Sequence, residues 1–199
     1  MNFSSSKDFE GKVAIITGAG SGFGREFARI GARLGMKLVL ADIQADALDP
    51  VLVEVRRAGA EAIGLLCDVS RPHDVETLAG AALQRFGKIH LAFNNAGVAG
   101  VGGYIWENTE KDWQWVLGVN LWGVIHGIRS FVPVMLRQNE PCHVINTASV
   151  AGLLTPQLLG VYNVSKHGVV AASETLFHDL RTAGAPIGVS VLCPAFVPT

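Results

Sequence analysis

Short apolar runs alternate with longer amphipathic segments along the whole of this sequence. The strand-like runs cover residues 13–17, 38–41, 62–67, 89–94, 143–147 and 189–193. The segments with helical periodicity between them cover residues 24–34, 45–58, 75–86, 111–137 and 161–182. Strands that alternate with helices form a parallel sheet covered on both faces, with right-handed crossovers. The sequence therefore predicts an α/β fold, a single domain with a doubly wound parallel sheet, whose ligands bind at the carboxyl ends of the strands.

The composition is that of a chain able to bury a large core. Hydrophobic residues make up 49% of the 199 residues and charged residues only 17%, and the net charge of −1 argues against a nucleic-acid partner. The first ten residues are polar, so we expect residues 1–10 to form an N-terminal extension without a signal peptide and residues 11–199 to form the domain. Because no continuous apolar run reaches the ~18 residues that span a bilayer, we expect a cytoplasmic protein with no membrane partner.

The cysteines give no sign of a metal site. Cys67, Cys142 and Cys193 are scattered near the ends of predicted strands, and no cluster of histidines accompanies them. Their spacing matches no pattern of metal ligands, so we expect no bound metal. An odd number of scattered cysteines indicates inert thiols in a reducing compartment.

A glycine-rich loop follows the first predicted strand and leads into a helix. It carries Gly18, Ser21, Gly22, Phe23 and Gly24. Glycines allow a tight turn and a close approach of ligand to backbone, and the amino end of a helix supplies free N–H groups for a pyrophosphate. Many such loops are simple turns, but the position of this one, after the first strand, predicts a dinucleotide site.

The second predicted strand is followed by a carboxylate. Asp42 lies eighteen residues after Gly24, where it can accept hydrogen bonds from the ribose hydroxyls of an adenosine and repel a 2′-phosphate. No Arg or Lys stands in the loop before Gly22, and Ile43 follows Asp42, so the sequence favours NAD over NADP. The alternative is that Asp42 caps the helix beginning near Gln44, and the two roles can coexist.

Tyr162 and Lys166 are one helical turn apart, and Ser149 lies thirteen residues upstream. Residues at i and i+4 share a helix face, so the ammonium is expected to stand beside the phenol and favour the phenolate. A phenol in that setting can pass a proton to or from an alcohol oxygen, which Ser149 could hold by a hydrogen bond. Taken alone, the pair also fits a surface lysine packed along an aromatic ring.

Taken together, these motifs resemble the short-chain dehydrogenase/reductase family, which has a Rossmann fold. Besides the glycine loop, the resemblance is carried by Asp68 and Val69 after the third strand, by the Asn-Asn-Ala-Gly motif ending at Gly97, and by Asn120. The motifs run in order from residue 11 to the end of the sequence. The resemblance implies cofactor contacts at Gly18, Ser21, Gly22, Phe23, Gly24, Asp42, Asp68, Val69, Asn95, Ala96, Gly97, Thr147, Tyr162, Lys166, Pro194, Val197 and Thr199.

The resemblance also implies an enzyme. Tyr162 would be the general acid/base, Lys166 would assist it and bind the nicotinamide ribose, and Ser149 would bond the reacting oxygen. Asn120 would hold a water that links Lys166 to solvent. The implied reaction is NAD-dependent interconversion of a secondary alcohol and a ketone. Two alternatives stay open, an NADP-dependent 3-oxoacyl or carbonyl reductase and a catalytically silent dinucleotide-binding protein.

The partners that the resemblance implies are a small alcohol or ketone and further copies of the chain. The substrate is expected to be hydrophobic, because the residues that we expect near it are mostly apolar: Val98, Val101, Val150, Leu153, Leu154 and Leu159, with Gln157 as the polar exception. A homodimer or homotetramer is expected through the helices at 111–137 and 161–182. Four tryptophans fall between Trp106 and Trp122, and we expect them to pack in the core or against a second subunit.

The sequence departs from the family pattern in two places. Ala195 replaces the glycine that usually follows the proline, which restricts the backbone there. Family members also continue beyond this point into a lid over the substrate, a helix and a seventh strand. We therefore expect the sequence to be truncated at its carboxyl end, with the cofactor site present and part of the substrate pocket lacking.

Overall fold

In the computed structural model, which describes residues 6–195 and 197, strands and helices alternate as predicted. The strands are β1 (Val13–Thr17), β2 (Lys37–Asp42), β3 (Ala62–Leu66), β4 (Leu91–Asn94), β5 (Cys142–Thr147) and β6 (Ile187–Leu192). The helices are α1 (Gly22–Arg33), α2 (Ala45–Arg57), α3 (Pro72–Phe86), α4 (Glu110–Leu117), α5 (Gly123–Gln138) and α6 (Gly160–Thr182). The 3-10 turns Ser6–Phe9 and Val150–Gly152 and the π-helical turn Gly118–Trp122 lie between them.

The strands form one parallel sheet in the order β3-β2-β1-β4-β5-β6. From β1 the chain first builds outward through β2 to β3, and it then returns to the other side of β1 to add β4, β5 and β6. The order therefore reverses between β1 and β4, where the loops after these strands part and leave a crevice. This arrangement confirms the predicted doubly wound sheet.

The strand β1 lies at the centre of the protein with all five residues buried. Because side chains alternate across a strand, Val13 and Ile15 join the core under α3 and α5, whereas Ala14 and Ile16 join the core under α1 and α2. Burial on both faces explains why β1 is a continuous apolar run. Packing against these two cores fixes the position of the carboxyl end of β1, and the glycine loop follows directly from that end.

The predicted helix at residues 111–137 is interrupted in the structure. α4 begins with a capping box in which the Thr109 hydroxyl accepts the N–H of Asp112 and the Asp112 carboxylate accepts the N–H of Thr109. The π-helical turn Gly118–Trp122 then separates α4 from α5. Such turns insert one extra residue per turn and often occur at functional sites. Here the turn carries Asn120.

The stretch Glu110–Gln138, which joins α4, the π-helical turn and α5, is long and apolar enough to cross a membrane by length and composition alone, with a mean hydropathy of 1.3. Half of its apolar window is buried, and Phe131 and Met135 are fully enclosed in the core. A core helix passes the same test, so this feature is weak evidence for a membrane span. The sequence prediction considered only continuous apolar runs and did not identify this stretch.

Candidate active site

The glycine loop requires glycine at three positions that the structure brings close together. Gly18 and Gly22 have φ of +64° and +48°, in the left-handed region that favours glycine. A Cβ on Gly24 would lie 2.0 Å from the carbonyl oxygen of Gly18, and one on Gly18 would lie 2.8 Å from the Cα of Ala96. The loop therefore packs its backbone directly against the start of α1 and against the segment after β4, and the first N–H groups of α1 point toward the crevice end of the sheet.

The Asp42 carboxylate links the glycine loop to the turn between β2 and α2. One of its oxygens accepts the N–H of Gly20 at 2.9 Å, and the other accepts the N–H of Gln44 at 3.0 Å. Because α2 begins at Ala45 after Gln44, the second bond partly matches the capping role that the sequence left open. A carboxylate can accept about four hydrogen bonds, so Asp42 retains acceptor capacity toward the crevice.

Side-chain hydrogen bonds join the carboxyl ends of the three central strands. The Thr17 hydroxyl donates to the Phe93 carbonyl at 3.2 Å and accepts the N–H groups of Asn95 and Ala96 at 2.9 and 3.1 Å. The Asn95 amide donates to the Thr17 carbonyl at 3.0 Å and accepts from the Thr147 hydroxyl at 3.2 Å. Thr17 belongs to the glycine-loop pattern of the sequence, but sequence reasoning gave it no role of its own, although a polar residue that ends a buried strand is a usable signal.

The loop after β3 is fixed by Asp68 and Val69. The Asp68 carboxylate accepts the N–H and the hydroxyl of Ser70 at 3.0 and 2.6 Å. The buried Val69 bonds the ring nitrogen Nδ1 of His126, in α5, through its carbonyl at 2.9 Å. These contacts bring the predicted Asp-Val pair to the crevice from the side of β3.

Lys166 is buried beneath the floor of the crevice and is only 4% exposed. Its ammonium donates to the carbonyl of Thr147 at 3.0 Å and lies 5.6 Å from the centre of the Tyr162 ring. Burial lowers the pKa of Lys166 from its ordinary value to about 8. The alternative of a surface lysine packed on an aromatic ring is therefore wrong for this pair.

Ser149 begins the short 3-10 turn Val150–Gly152 after β5. Its hydroxyl accepts the N–H of Ala151 at 3.2 Å and makes a long contact of 3.5 Å with the Pro194 carbonyl. The turn packs against α6 so closely that a Cβ on Gly152 would lie 2.7 Å from the Lys166 carbonyl. Ser149 is thereby fixed beside the part of α6 that carries Tyr162 and Lys166.

Asn120 is fully buried, and its side chain forms three hydrogen bonds to other residues. Its amide oxygen accepts the N–H of Val98 at 2.8 Å, and its amide nitrogen donates to the Val98 carbonyl at 2.9 Å and to the Ser165 hydroxyl at 3.1 Å. A Cβ on Gly97 would lie 3.3 Å from this amide oxygen and 3.5 Å from the Lys166 ammonium. Asn120 therefore joins the loop after β4 to α6, next to Lys166.

A cleft of about 540 Å³ runs along the carboxyl end of the sheet, and it brings most of the predicted residues together. Those that line it are Gly18, Ser21, Gly22, Phe23, Asp42, Asp68, Val69, Asn95, Ala96, Gly97, Thr147, Ser149, Tyr162, Lys166, Pro194 and Val197. Gly24 and Asn120 lie behind its wall, and Thr199 lies outside the described residues. Sequence reasoning did not predict as contacts the lining residues Ile43, Gln44, Ala47, Cys67, Ala99, Trp115, Val119 and Ala148, and Ala195, at which the sequence departs from the family pattern, also lines the cleft.

The comparisons with known proteins agree with this geometry. The sequence model of the family described as "short chain dehydrogenase" matches residues 12–199. The chain belongs to the short-chain dehydrogenase family. The predicted family and fold are thus confirmed, and the protein is an oxidoreductase of a family whose dehydrogenases act on alcohol groups.

Two curated relatives illustrate the range of this short-chain dehydrogenase family. A CLA biosynthesis dehydrogenase/reductase from Lactiplantibacillus plantarum is 37% identical over 193 residues, which cover 97% of this chain and 67% of the relative. A cyclohexanol dehydrogenase from an Acinetobacter species is 34% identical over 98% of this chain and 76% of the relative. The chain thus spans about two thirds to three quarters of these relatives.

Solved structures of other short-chain dehydrogenases superimpose closely on this chain. A short-chain dehydrogenase/reductase from Burkholderia phymatum in complex with NAD has 62% identity and a TM-score of 0.94, covering 96% of this chain and 67% of that one. An NAD⁺-bound xylitol dehydrogenase has 34% identity and a TM-score of 0.92, with 97% and 74% covered.

Two of the three thiols of this short-chain dehydrogenase, Cys67 and Cys142, are buried. Burial raises the pKa of the Cys67 thiol to about 12 and that of Cys142 to about 11, as expected for inert thiols. Within residues 6–195 and 197, no group of three or more His, Cys, Asp or Glu side chains is placed to hold a metal ion.

Proposed function

We propose that this short-chain dehydrogenase binds NAD in the cleft and interconverts a secondary alcohol and a ketone, with Tyr162 as the general acid/base. The observation that carries the proposal is the buried Lys166, whose ammonium lies 5.6 Å from the centre of the Tyr162 ring in the cleft that also holds the glycine loop and Asp42. A buried cation is costly without a function, and this one stands beside the group that would exchange the proton.

The cleft fits a nicotinamide dinucleotide. Its backbone cradle is one that a Cβ at Gly18 or Gly24 would fill, and the free N–H groups at the start of α1 suit a pyrophosphate. Asp68 and Val69 follow β3 and line the cleft on that side, where we place the adenine. Thr147, Ser149, Tyr162 and Pro194 line the opposite end, where we place the nicotinamide. When bound, the dinucleotide supplies the hydride acceptor or donor of the reaction.

The remaining residues have roles that their contacts support. Tyr162 would donate a proton to the substrate oxygen or take one from it, and Ser149 would hold that oxygen by a hydrogen bond. Lys166 would keep a positive charge beside the phenol. The two N–H groups of the Asn120 amide already donate to Val98 and Ser165, so a water that links Lys166 to solvent would donate to the second lone pair of the amide oxygen or bind the main chain of the π-helical turn.

The proposed substrate is a small hydrophobic alcohol or ketone. Val98 lines the cleft, and Val101, in the loop after β4, and Leu153 and Leu154, in the segment after β5, are 50–60% exposed. Apolar side chains at the mouth of a cleft favour an apolar ligand, because burying them against it removes their surface from water. The polar Gln157 is exposed in the same region.

We expect Tyr162→Phe to lower turnover of a secondary alcohol by about a hundredfold or more while leaving the Kd for NAD within about twofold, because a general acid/base contributes about that much to the rate. Turnover is followed by absorbance of the reduced nicotinamide, and binding by calorimetry. The matched control is Tyr104→Phe, since Tyr104 is the other tyrosine of the chain and lies exposed in the loop after β4. Equal turnover in the wild type and Tyr162→Phe would refute the proposed acid/base.

We also expect the chain to bind NAD at least about tenfold more tightly than NADP, because the Asp42 carboxylate can accept from ribose hydroxyls and repels a 2′-phosphate. Asp42→Asn removes the charge while keeping the size, so it should narrow the ratio of the two dissociation constants. Asp42→Asn also weakens one of the two hydrogen bonds that Asp42 accepts from the N–H groups of Gly20 and Gln44. The melting temperature of the variant is therefore compared with that of the wild type. Equal affinities of the wild type for the two cofactors would contradict the assignment.

A further inference from the structure

A large aromatic side chain lines the cleft and has no assigned role. Trp115, in α4, is one of the residues that line the cleft, and it is 50% exposed. The sequence predicts that the tryptophans of this chain pack in the core or against a second subunit. A half-exposed indole at the rim of a ligand cleft instead offers a flat apolar surface that a ligand can cover.

We propose that Trp115 covers the adenine of the bound dinucleotide and is a specificity-determining residue for the adenine end of the cofactor. The inference rests on the proposed function, since that function places a dinucleotide in the cleft with its adenine near Asp68 and Val69. The adenine is placed at the β3 end of the cleft and the nicotinamide beside Tyr162. The proposal therefore requires that Trp115 lie at the β3 end.

The helix that carries Trp115 shows which end it faces. Residues three and four positions apart lie on one face of a helix, so Trp115 shares a face with Gly118 and Val119. A Cβ on Gly118 would lie 3.5 Å from the Cβ of Ser70, the residue that follows Val69. Val119 lines the cleft and packs against the core cluster that contains Val69.

The neighbouring residue Val116 faces a different part of the structure. Val116 is about a quarter turn away from Trp115 and is fully buried, and its Cγ2 would lie 2.7 Å from a Cβ on Gly100 in the loop after β4. Trp115 is thus turned from that loop toward the loop after β3. Through Gly118 and Val119 its helix face is turned toward the loop after β3, the end proposed for the adenine, although α4 also packs against α6.

The indole surface of Trp115 is available for stacking. Among the described residues, no aromatic ring contact is found for Trp115, whereas the ring of Trp122 lies 5.8 Å from that of His126. Stacking between an aromatic side chain and a base depends on the flat faces of both rings, and a purine presents a larger face than a nicotinamide. An indole beside Val119 therefore suits an adenine.

The test measures the binding of three ligands to the wild type, Trp115→Ala and Trp115→Phe by calorimetry. The ligands are NAD, adenosine 5′-monophosphate and nicotinamide mononucleotide. We expect Trp115→Ala to raise the Kd for NAD and for the adenosine monophosphate by about tenfold, and to change that for the nicotinamide mononucleotide by less than about twofold. Trp115→Phe, which keeps an aromatic face, should recover most of the affinity.

Trp122→Ala is the matched control, because Trp122 is 49% exposed in the same helical stretch and does not line the cleft. It should leave all three dissociation constants within about twofold of the wild type. Light scattering on each variant tests whether the exposed tryptophan instead lies in an interface between subunits. If Trp115→Ala dissociates an oligomer and leaves adenosine monophosphate binding unchanged, Trp115 is an interface residue and the proposal is overturned.

Different outcomes refute the role of Trp115 and the proposed function. Wild-type protein that binds NAD, combined with Trp115→Ala that binds adenosine monophosphate equally well, refutes the role of Trp115 and leaves the proposed function intact. A loss of affinity for the nicotinamide mononucleotide alone would place Trp115 at the wrong end of the cleft and would also overturn it. Wild-type protein that binds none of the three ligands would refute the proposed function itself.

Discussion

At the scale of single residues, the dominant feature is a cation that the fold keeps out of water. Among the described residues, the Lys166 ammonium has one hydrogen-bond partner, the carbonyl of Thr147, and the side chain is buried. Water would solvate an ammonium far better than one carbonyl does, so burial opposes the charged form. The fold therefore gives up stability to hold a charge next to Tyr162.

This cost predicts how stability depends on pH. The pKa of Lys166 is lowered to about 8 in the folded chain and has its ordinary value of 10.5 when unfolded. The unfolded chain binds more protons between these values, so this residue makes stability rise from about pH 8 to about pH 10.5. Below about pH 8 the full penalty is present, on the order of 3 kcal/mol.

We therefore expect Lys166→Met, without cofactor, to unfold at higher urea concentration than the wild type at pH 7, by up to ~3 kcal/mol, although its turnover is lost. The difference should shrink as pH rises toward about 10.5. Lys111→Met, which changes an exposed lysine of α4, serves as the control and should show no such dependence. A difference that stays constant with pH would indicate a packing effect in place of a charge effect.

At the scale of elements, the connection from β1 to α1 shows why a loop can be as constrained as a core. The start of α1 lies so close to the end of β1 that a single methyl group on Gly24 would overlap the carbonyl of Gly18. The Cβ position is fixed by the backbone of Gly24, and the oxygen it would meet belongs to the backbone of Gly18, so no side-chain rotation can separate them. The chain must shift the loop itself, and the loop is the proposed pyrophosphate cradle.

We expect Gly24→Ala to destabilise the fold by ~2 kcal/mol and to weaken NAD binding, because overpacking against backbone cannot be relieved locally. Gly80→Ala is the control. Gly80 is exposed inside α3, and a Cβ there would meet nothing within 4 Å, so the substitution should stabilise the helix by about 0.5–1 kcal/mol. Urea unfolding measures both changes, and equal effects of the two substitutions would contradict the steric argument.

The same scale shows where sequence patterns fail to predict element limits. The pattern predicted one helix over residues 111–137, but the helix changes to a π-helical turn at Gly118–Trp122. The turn carries Asn120, which bonds Val98, twenty-two residues away, and Ser165, forty-five residues away. Helical periodicity reports only neighbours three or four positions apart, so it cannot reveal contacts of that length.

At the scale of the whole molecule, the described surface carries apolar residues that suit an assembly. Val164 and Phe177 of α6 and Leu136 of α5 are 45%, 38% and 43% exposed. We propose that α5 and α6 form the interface of a homodimer or homotetramer, as the family resemblance implies. Large apolar side chains exposed on helices are typical of a symmetric interface.

We expect multi-angle light scattering to give the mass of a dimer or a tetramer, and Val164→Glu to shift it toward the monomer, since an interface would have to bury the new charge unpaired. The control is Val53→Glu, because Val53 is 46% exposed on α2, remote from the proposed interface. It should leave the mass unchanged. A wild-type monomer at micromolar concentration would contradict the proposal.

The sequence by itself determined the alternation of strands and helices, the family, and most of the residues that line the cleft. These features are local: apolar runs of period two, helices of period 3.6, glycines next to a strand end, and a tyrosine and a lysine on one helical turn. Only the tertiary structure decided that Lys166 is buried, that Thr17, Asn95 and Thr147 bond the strand ends together, and that Trp115 faces the cleft. The physical reason is that burial and hydrogen bonding depend on atoms brought together from distant parts of the chain, and a single sequence does not specify those distances.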